Sequence, residues 1–271
     1  MRRNLESEFF LPAPPRIFAH RGDGGEFPEN TIASFEAAAR VGAEYFELDV
    51  HMTRDGEIVV SHDGDLARAC GRAGAIAAMT LAEVQRADAG YTFSTDGGAS
   101  YPFRDRGIVV PRLADVLGAF ARTRFILEVK QTAPSLVPAL LEVIDRAGMR
   151  AKVLIASEHQ PPLDEVRALA PAMPTNFSYG EVAGFLQAMA ARDAGYAPPG
   201  DALQIPPEYQ GWKLVTPESV AFARTLGVEI HVWTVNDPAE MAALLNTGAA
   251  GIITDFPARA LAVARSRTAA R

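Results

Sequence analysis

One cysteine, Cys70, stands in 271 residues. Without a partner it rules out an intrachain disulfide and a cysteine-built zinc site, and it reads as a small core residue. Lysine is nearly as scarce: Lys130, Lys152 and Lys213 are the only three, and the accompanying excess of arginine is a compositional bias, not a binding patch. No apolar run approaches the roughly 20 residues of a membrane span. The start has Glu6 and Glu8 and then only Phe9-Phe10-Leu11 as apolar residues, short of the roughly 7–15 that a secretory signal needs. A cytoplasmic chain with no integral membrane association is the expectation. Positive charge is in deficit too, 26 Lys and Arg against 33 Asp and Glu, a formal net charge of −7. That argues against nonspecific nucleic-acid binding and against adhesion to anionic membranes. Taken at face value it also argues against an anionic substrate.

What is present is alternation. Short β-branched runs occur at Ile17–Ala19, Tyr45–Val50, Phe125–Val129, Val153–Ala156, Thr175–Phe177, Leu203–Ile205, Ile230–Trp233 and Gly251–Thr254. Between them lie amphipathic, Ala/Leu-rich segments at Thr31–Val41, Leu113–Phe120, Leu136–Ala147, Leu163–Ala170, Val182–Asp193, Pro217–Leu226, Ala239–Asn246 and Ala258–Arg265. Pro217 and Pro238 suit a first helical turn, and Gly42, Gly148, Gly227 and Gly248 follow helices as caps. Strand–helix alternation implies a parallel sheet with helical crossovers. Eight such units in this length predict an α/β chain forming one closed (β/α)8 barrel domain over residues 1–271.

Two departures are informative. A ninth run, Ile58–Ser61, is separated from the second strand only by Met52–Glu57, with the turn pair Asp55-Gly56. A parallel crossover needs about a dozen residues or more, so this run returns antiparallel as a hairpin and brings His62 back to the rim. Residues 64–110 carry only one helical stretch, Thr80–Ala87, before a Gly/Ser/aromatic segment. A loop this long in a compact domain reads as a small insertion capping the C-terminal face of the barrel.

The chemistry gathers at the C-terminal ends of the strands. The first ends His20-Arg21-Gly22, the second carries Glu47-Leu48-Asp49, the hairpin returns at Ser61-His62-Asp63, and the next barrel strand ends Glu128-Val129-Lys130. Residues two apart on a strand share a face, so Glu47 and Asp49 point together, as do Glu128 and Lys130. Three converging carboxylates repel, and burying each unpaired costs several kcal/mol. Lys130 alone does not offset three carboxylates, whereas one divalent cation does, and oxygen-only ligation points to Mg²⁺ or Ca²⁺. The competing arrangement is a salt-bridge network with Arg21 and Lys130. His20 and His62 approach the same place from two sides, with pKa values suited to general acid and general base. A metal, an arginine and an acid–base pair suit cleavage of a phosphate ester.

These motifs resemble those of the glycerophosphodiester phosphodiesterases, a branch of the phospholipase C-like barrels. The matching stretches are His20-Arg21-Gly22, Pro28-Glu29-Asn30-Thr31, Glu47-Leu48-Asp49-Val50, Thr53-Arg54-Asp55-Gly56, Val59-Val60-Ser61-His62-Asp63, Glu128-Val129-Lys130, Trp233-Thr234-Val235-Asn236 and Ile253-Thr254-Asp255, in family order. The resemblance implies Glu47, Asp49 and Glu128 as metal ligands, His20 and His62 as the acid–base pair, and Arg21 and Lys130 as cationic substrate contacts. It implies hydrolysis of a small anionic phosphodiester to sn-glycerol 3-phosphate and a free alcohol, within glycerol and lipid metabolism. It leaves open whether water or the substrate's own glycerol hydroxyl attacks first, which histidine is acid and which base, and the oligomeric state. One departure falls in the insertion, where Leu66-Ala67-Arg68-Ala69-Cys70 lacks the two threonines of the family's Leu-x-Arg-Thr-Thr pattern.

Two other readings compete. The aromatic stretch Tyr91-Thr92-Phe93 through Tyr101-Pro102-Phe103-Arg104 either packs as a cap or forms an apolar groove for an acyl chain, which would give a lysophospholipase D-like release of head groups from lysophospholipids. A non-catalytic barrel that binds a phosphoester is the third. Trp233 is expected at the mouth as an aromatic wall for glycerol or a choline-type head group, and Gln204 as a substrate contact or barrel filling. His51 reads as supporting or structural, while His159 and His231 stand between rim and structural roles.

Overall fold

The computed structural model describes residues 7–269. Among these residues are ten strands and ten α-helices, and the expected strand–helix alternation holds around the barrel except where one helix, Gln160–Leu169, runs on to the next, Tyr179–Ala191, and where short extra strands or helices intervene. Strands β1 (Arg16–His20), β2 (Tyr45–Met52), β4 (Arg124–Val129), β5 (Val153–Ala156), β6 (Ala202–Ile205), β9 (Glu229–Val232) and β10 (Gly251–Thr254) lie parallel in the order β5-β4-β2-β1-β10-β9-β6. Strand β3 (Ile58–Val60) pairs antiparallel with β2, with Val50 opposite Val60, so the ninth run does return as a hairpin.

The expected strand Thr175–Phe177 is reduced to two bridging residues. Thr175 bridges Ile155 and Asn176 bridges Ala202, both parallel, and this narrow stave joins the two ends of the sheet into a ring. Its shortness has a local cause. Ser178 already caps helix α7 (Tyr179–Ala191) in a capping box with Glu181, so the chain has no room to stay extended. The outer helices begin and end within about three residues of their expected limits. They are α1 (Ile32–Arg40), α4 (Leu113–Ala119), α5 (Val137–Arg146), α6 (Gln160–Leu169), α7, α8 (Pro217–Thr225), α9 (Pro238–Thr247) and α10 (Pro257–Ala269). The insertion holds two single-turn helices, α2 (Ala67–Cys70) and α3 (Leu81–Val84), so the helix expected over Thr80–Ala87 is about half its anticipated length.

Side-chain parity divides the strands. On β2, Phe46, Leu48 and Val50 face outward into the helix layer and are fully buried there. Tyr45 faces inward beside Phe18, Ile126, Leu154 and Ile253. Phe9 and Phe10 close this inner core from below: Phe9 stacks on Phe18 with ring centroids 6.1 Å apart, and the Tyr45 hydroxyl donates to its carbonyl at 2.8 Å. The apolar triplet near the start of the chain is therefore a plug in the barrel floor. The floor is filled by rings and by the buried Arg16–Glu229 ion pair at 2.8 Å, on which His231 rests, and the other inward polar residues gather toward the C-terminal ends of the strands.

Asp23, just past β1, is buried. Burial and the charge of Glu26 push its carboxyl up from 3.8 to about 6. A raised folded-state value means that the ionised form is disfavoured in the folded chain. That cost is absent below the unfolded value and grows as pH rises toward the folded one. Asp23→Asn is therefore expected to stabilise the protein by on the order of 1–2 kcal/mol at about pH 8 and not at about pH 4, read as melting temperature. An equal gain at both pH values would assign the effect to something other than ionisation.

Candidate functional site

Strand β1 ends in a tight left-handed turn at Arg21 (φ 55°) and Gly22 (φ 90°). Glycine is required at the second position, since a Cβ there would lie 2.3 Å from Ser34 Oγ. The turn leaves the His20 side chain inward and swings Arg21 across the barrel mouth. The Arg21 backbone N–H donates to the Glu47 carbonyl at 2.8 Å, which ties the turn to β2. Register then does the rest: His20 lies opposite Glu47, and Asp49 opposite Glu128.

The carboxylates of Glu47, Asp49 and Glu128 converge, each offering an oxygen within 4.8 Å of the others. Glu47 and Asp49 are buried at 4% and 1% exposure. Burial first, and then the neighbouring Asp49 charge, push the Glu47 carboxyl up to about 8. Burial and Asp49 likewise raise Glu128. Asp49 itself is held below the ordinary range, because Arg21, Lys130 and the Asn30 hydrogen bond outweigh its burial. The Arg21 Nε lies 3.3 Å from Asp49 Oδ2, and the Lys130 Nζ lies 3.5 Å from Asp49 Oδ1 and 2.8 Å from Glu128 Oε1. Asn30 Nδ2 donates to Asp49 Oδ2 at 2.9 Å. Even with these partners Asp49 Oδ1 accepts no hydrogen bond among the described residues.

Both histidines stand on aspartates. His20 Nδ1 is 2.6 Å from Asp255 Oδ1, and His62 Nδ1 is 2.9 Å from Asp63 Oδ1. A carboxylate only accepts, so each Nδ1 carries a proton, and Nε2 is the position left to take or give one. His20 Nε2 lies 3.8 Å from Glu47 Oε2. Burial lowers the His20 pKa, but the Asp255 hydrogen bond and the charge of Glu47 more than offset this, and it ends above the usual value. Asp255 is steadied in turn by Asn236, whose Nδ2 donates to Asp255 Oδ2 at 2.7 Å. On the other side Arg68 donates to Asp63 at 2.5 Å and forks onto Glu29 at 3.0 and 2.6 Å. Glu29 also accepts from Arg21 at 3.1 Å. Asp63, Asp255, Asn236, Asn30 and Glu29 all fall inside the motifs quoted above, but sequence reasoning gave them no role. Membership of those motifs was the only signal available.

A cavity of ≈ 570 Å³ opens over this floor, bordered by His20, Arg21, Glu47, His62, Glu128, Lys130, Gln204 and Trp233. The buried Gln204 Nε2 has no hydrogen-bond partner among the described residues. The structure thus brings eight of the nine expected site residues to one cavity wall, with Asp49 just beneath. His51 Nε2 instead meets the His62 carbonyl at 3.2 Å. His231 is fully buried in the barrel on Glu229, and His159 precedes helix α6, outside the cavity lining.

The insertion stands beside the mouth on the His62 side and reaches the site through Arg68. It has a small core of its own, in which Leu66, Cys70, Ile76 and Val84 are buried. Burial pushes the Cys70 thiol up to about 11, so it is an inert packing residue. The aromatic segment does not supply an apolar groove to the cavity: Phe103 packs on Phe27 and Phe93, and Arg104 sits 4.0 Å over each of the Tyr91 and Tyr101 rings. The cavity's apolar wall comes from the opposite side, from Phe177, Val182, Leu186, Ile205, Pro206 and Leu214.

A floor of clustered carboxylates and paired imidazoles at the strand C-termini of a parallel barrel belongs to the barrel hydrolases that act on phosphate esters. Comparison with known proteins narrows this. The Glycerophosphoryl diester phosphodiesterase family model matches residues 20–259. A glycerophosphodiester phosphodiesterase of Bacillus subtilis (strain 168) is 32% identical over 264 residues, covering 91% of this chain and 86% of the relative. One from Caldanaerobacter subterraneus is 30% identical over 248 residues, covering 89% and 94%. The crystal structure of a putative glycerophosphoryl diester phosphodiesterase from Silicibacter pomeroyi superposes with a TM-score of 0.79 at 29% identity, covering 98% of each chain. The chain belongs to the glycerophosphoryl diester phosphodiesterase family and is a phosphodiesterase. Among the described residues no helix is long and apolar enough to cross a membrane.

Proposed function

We propose that this protein hydrolyses small glycerophosphodiesters to sn-glycerol 3-phosphate and an alcohol, using His20 and His62 as the acid–base pair beside a divalent cation held by Glu47, Asp49 and Glu128. The observation that carries the reading is the meeting of two aspartate-held imidazoles and three carboxylates at one cavity. The residues fit a cation: the donors are hard oxygens, Asp49 Oδ1 lacks a hydrogen-bond partner among the described residues, and burial with the charge of Asp49 beside it pushes Glu47 up to about 8, a cost that a bound cation would offset. When bound, Mg²⁺ or Ca²⁺ would polarise the phosphoryl oxygens and relieve this repulsion.

The chain's own groups then account for the proton transfers. One Nε2 lone pair takes the proton of the attacking hydroxyl as its oxygen bonds to phosphorus. The other histidine, protonated, gives its proton to the departing alkoxide as that P–O bond breaks. Asp255 and Asp63 stabilise the imidazolium of each and fix its tautomer. Arg21 and Lys130 meet the phosphoryl oxygens, Gln204 offers its unpaired amide to a substrate oxygen, and Trp233 walls the mouth. The chain is read as one barrel domain, with 64–110 an insertion that orients Asp63 through Arg68.

The test is release of sn-glycerol 3-phosphate from glycerophosphocholine, followed with a coupled dehydrogenase. No product from any glycerophosphodiester would overturn the reading. The apolar wall from α7 and β6 favours a second substrate class, lysophospholipids. Formation of lysophosphatidate from lysophosphatidylcholine would support it, and turnover confined to deacylated diesters would end it.

A further inference from the structure

Glu158, two residues beyond β5, borders the cavity as an exposed carboxylate. It makes no ion pair among the described residues. Its carbonyl accepts from the Tyr179 N–H at 3.0 Å, which fixes it at the foot of α7. Strands β7 (Glu208–Tyr209) and β8 (Trp212–Lys213) form a small hairpin that sets Tyr209 against Tyr179, with hydroxyls 3.2 Å apart and rings inclined at 73°. Tyr179, Tyr209 and Trp233 all border the same cavity and are 66%, 44% and 38% exposed. Glu158 also lies close enough to Glu128 for its charge to help raise that carboxyl.

The charge on the cavity wall is therefore polarised. Its basic groups, His20, Arg21, His62 and Lys130, stand around the carboxylate triad, where a phosphate would lie. Beyond Glu128 the wall offers one unpaired carboxylate and three exposed aromatic rings, with no cation among its described residues. A second anion is repelled there, and a neutral alcohol gains little. An alkylammonium group finds both an opposite charge and ring faces.

We propose that Glu158, with Tyr179, Tyr209 and Trp233, receives the leaving alcohol and selects diesters whose alcohol carries an alkylammonium group of choline or ethanolamine type. This rests on cleavage at the carboxylate triad and adds the identity of the leaving group. A zwitterionic diester spans the cavity with its phosphate at the basic end and its cation at Glu158.

The experiment compares kcat/KM for glycerophosphocholine, glycerophosphoethanolamine and glycerophosphoglycerol in the wild type, Glu158→Gln, Glu158→Asp and Glu158→Lys. The ratio of either cationic substrate to glycerophosphoglycerol is expected to fall by about five- to tenfold in Glu158→Gln, through KM, and further in Glu158→Lys. Glu158→Asp should recover part of it, and added salt should shrink the wild-type preference. A ratio unchanged in both Glu158→Gln and Glu158→Lys would reduce Glu158 to a solvated surface charge and overturn the proposal, with diester hydrolysis standing. A wild type that cleaves none of the three would overturn both readings.

Discussion

Replacing His20 or His62 with alanine is expected to lower kcat by roughly 10²–10⁴-fold while the barrel stays folded. Each imidazole sits at the mouth, above the ring of Phe and Tyr side chains that fills the floor, so neither truncation opens a core cavity. The loss should fall on kcat more than on KM, because proton transfer is made in the transition state, whereas Arg21, Lys130 and the carboxylate triad remain to hold the phosphate. The double variant should lose little more than the worse single one, since the two groups serve one concerted transfer. Asp255→Asn is the sharper probe. It keeps the shape at His20 but removes the negative charge; with the amide oxygen held by Asn236 Nδ2, an NH2 donor replaces the acceptor oxygen 2.6 Å from His20 Nδ1 and favours the wrong tautomer, so activity should drop with no change in melting temperature beyond a few degrees. Near-normal rates in both alanine variants would end the acid–base assignment.

Chelation should have an effect of similar size. Among the described residues, three carboxylates offering oxygens within 4.8 Å of one another have Lys130 and Arg21 as their neighbouring permanent cations, and burial with the charge of Asp49 moves Glu47 up to about 8. A divalent ion is expected to remove that frustration, so EDTA should abolish turnover and added Mg²⁺ or Ca²⁺ should restore it. A readout independent of activity follows from mass action. A cation that binds only the folded state at about 100 times its dissociation constant stabilises it by ~2.7 kcal/mol, seen as a rise in melting temperature. Glu47→Gln should lose that rise. Full activity in chelator, with no thermal shift on adding either ion, would sink the metal assignment.

The lone cysteine is a packing residue in the insertion, as its isolation implied. The net charge of −7 proved a poor guide to substrate, because the acids that matter here gather beneath four basic groups, His20, Arg21, His62 and Lys130. Parity on β2 was enough to place Glu47 and Asp49 together, and the eight strand–helix units were enough to expect a ring. Where sequence reasoning fell short, the reason was distance along the chain. His20 and Asp255 are 235 residues apart, and Arg68 and Glu29 are 39 apart, so no local pattern could show that they touch. Of the two readings of the insertion's aromatic segment, packing rather than an acyl groove is the one the contacts favour: its rings found partners in one another and in Phe27.

The sequence by itself therefore determined the residue types, their order along the strands and the faces on which they lie, because the period of a strand and the needs of a crossover are local properties. The tertiary structure alone decided which aspartate holds which imidazole, which wall of the cavity is apolar, and that Glu158 borders the same cavity as Tyr179, Tyr209 and Trp233. Closing a barrel brings strand ends together across hundreds of residues, and the electrostatics of a site depend on that closure.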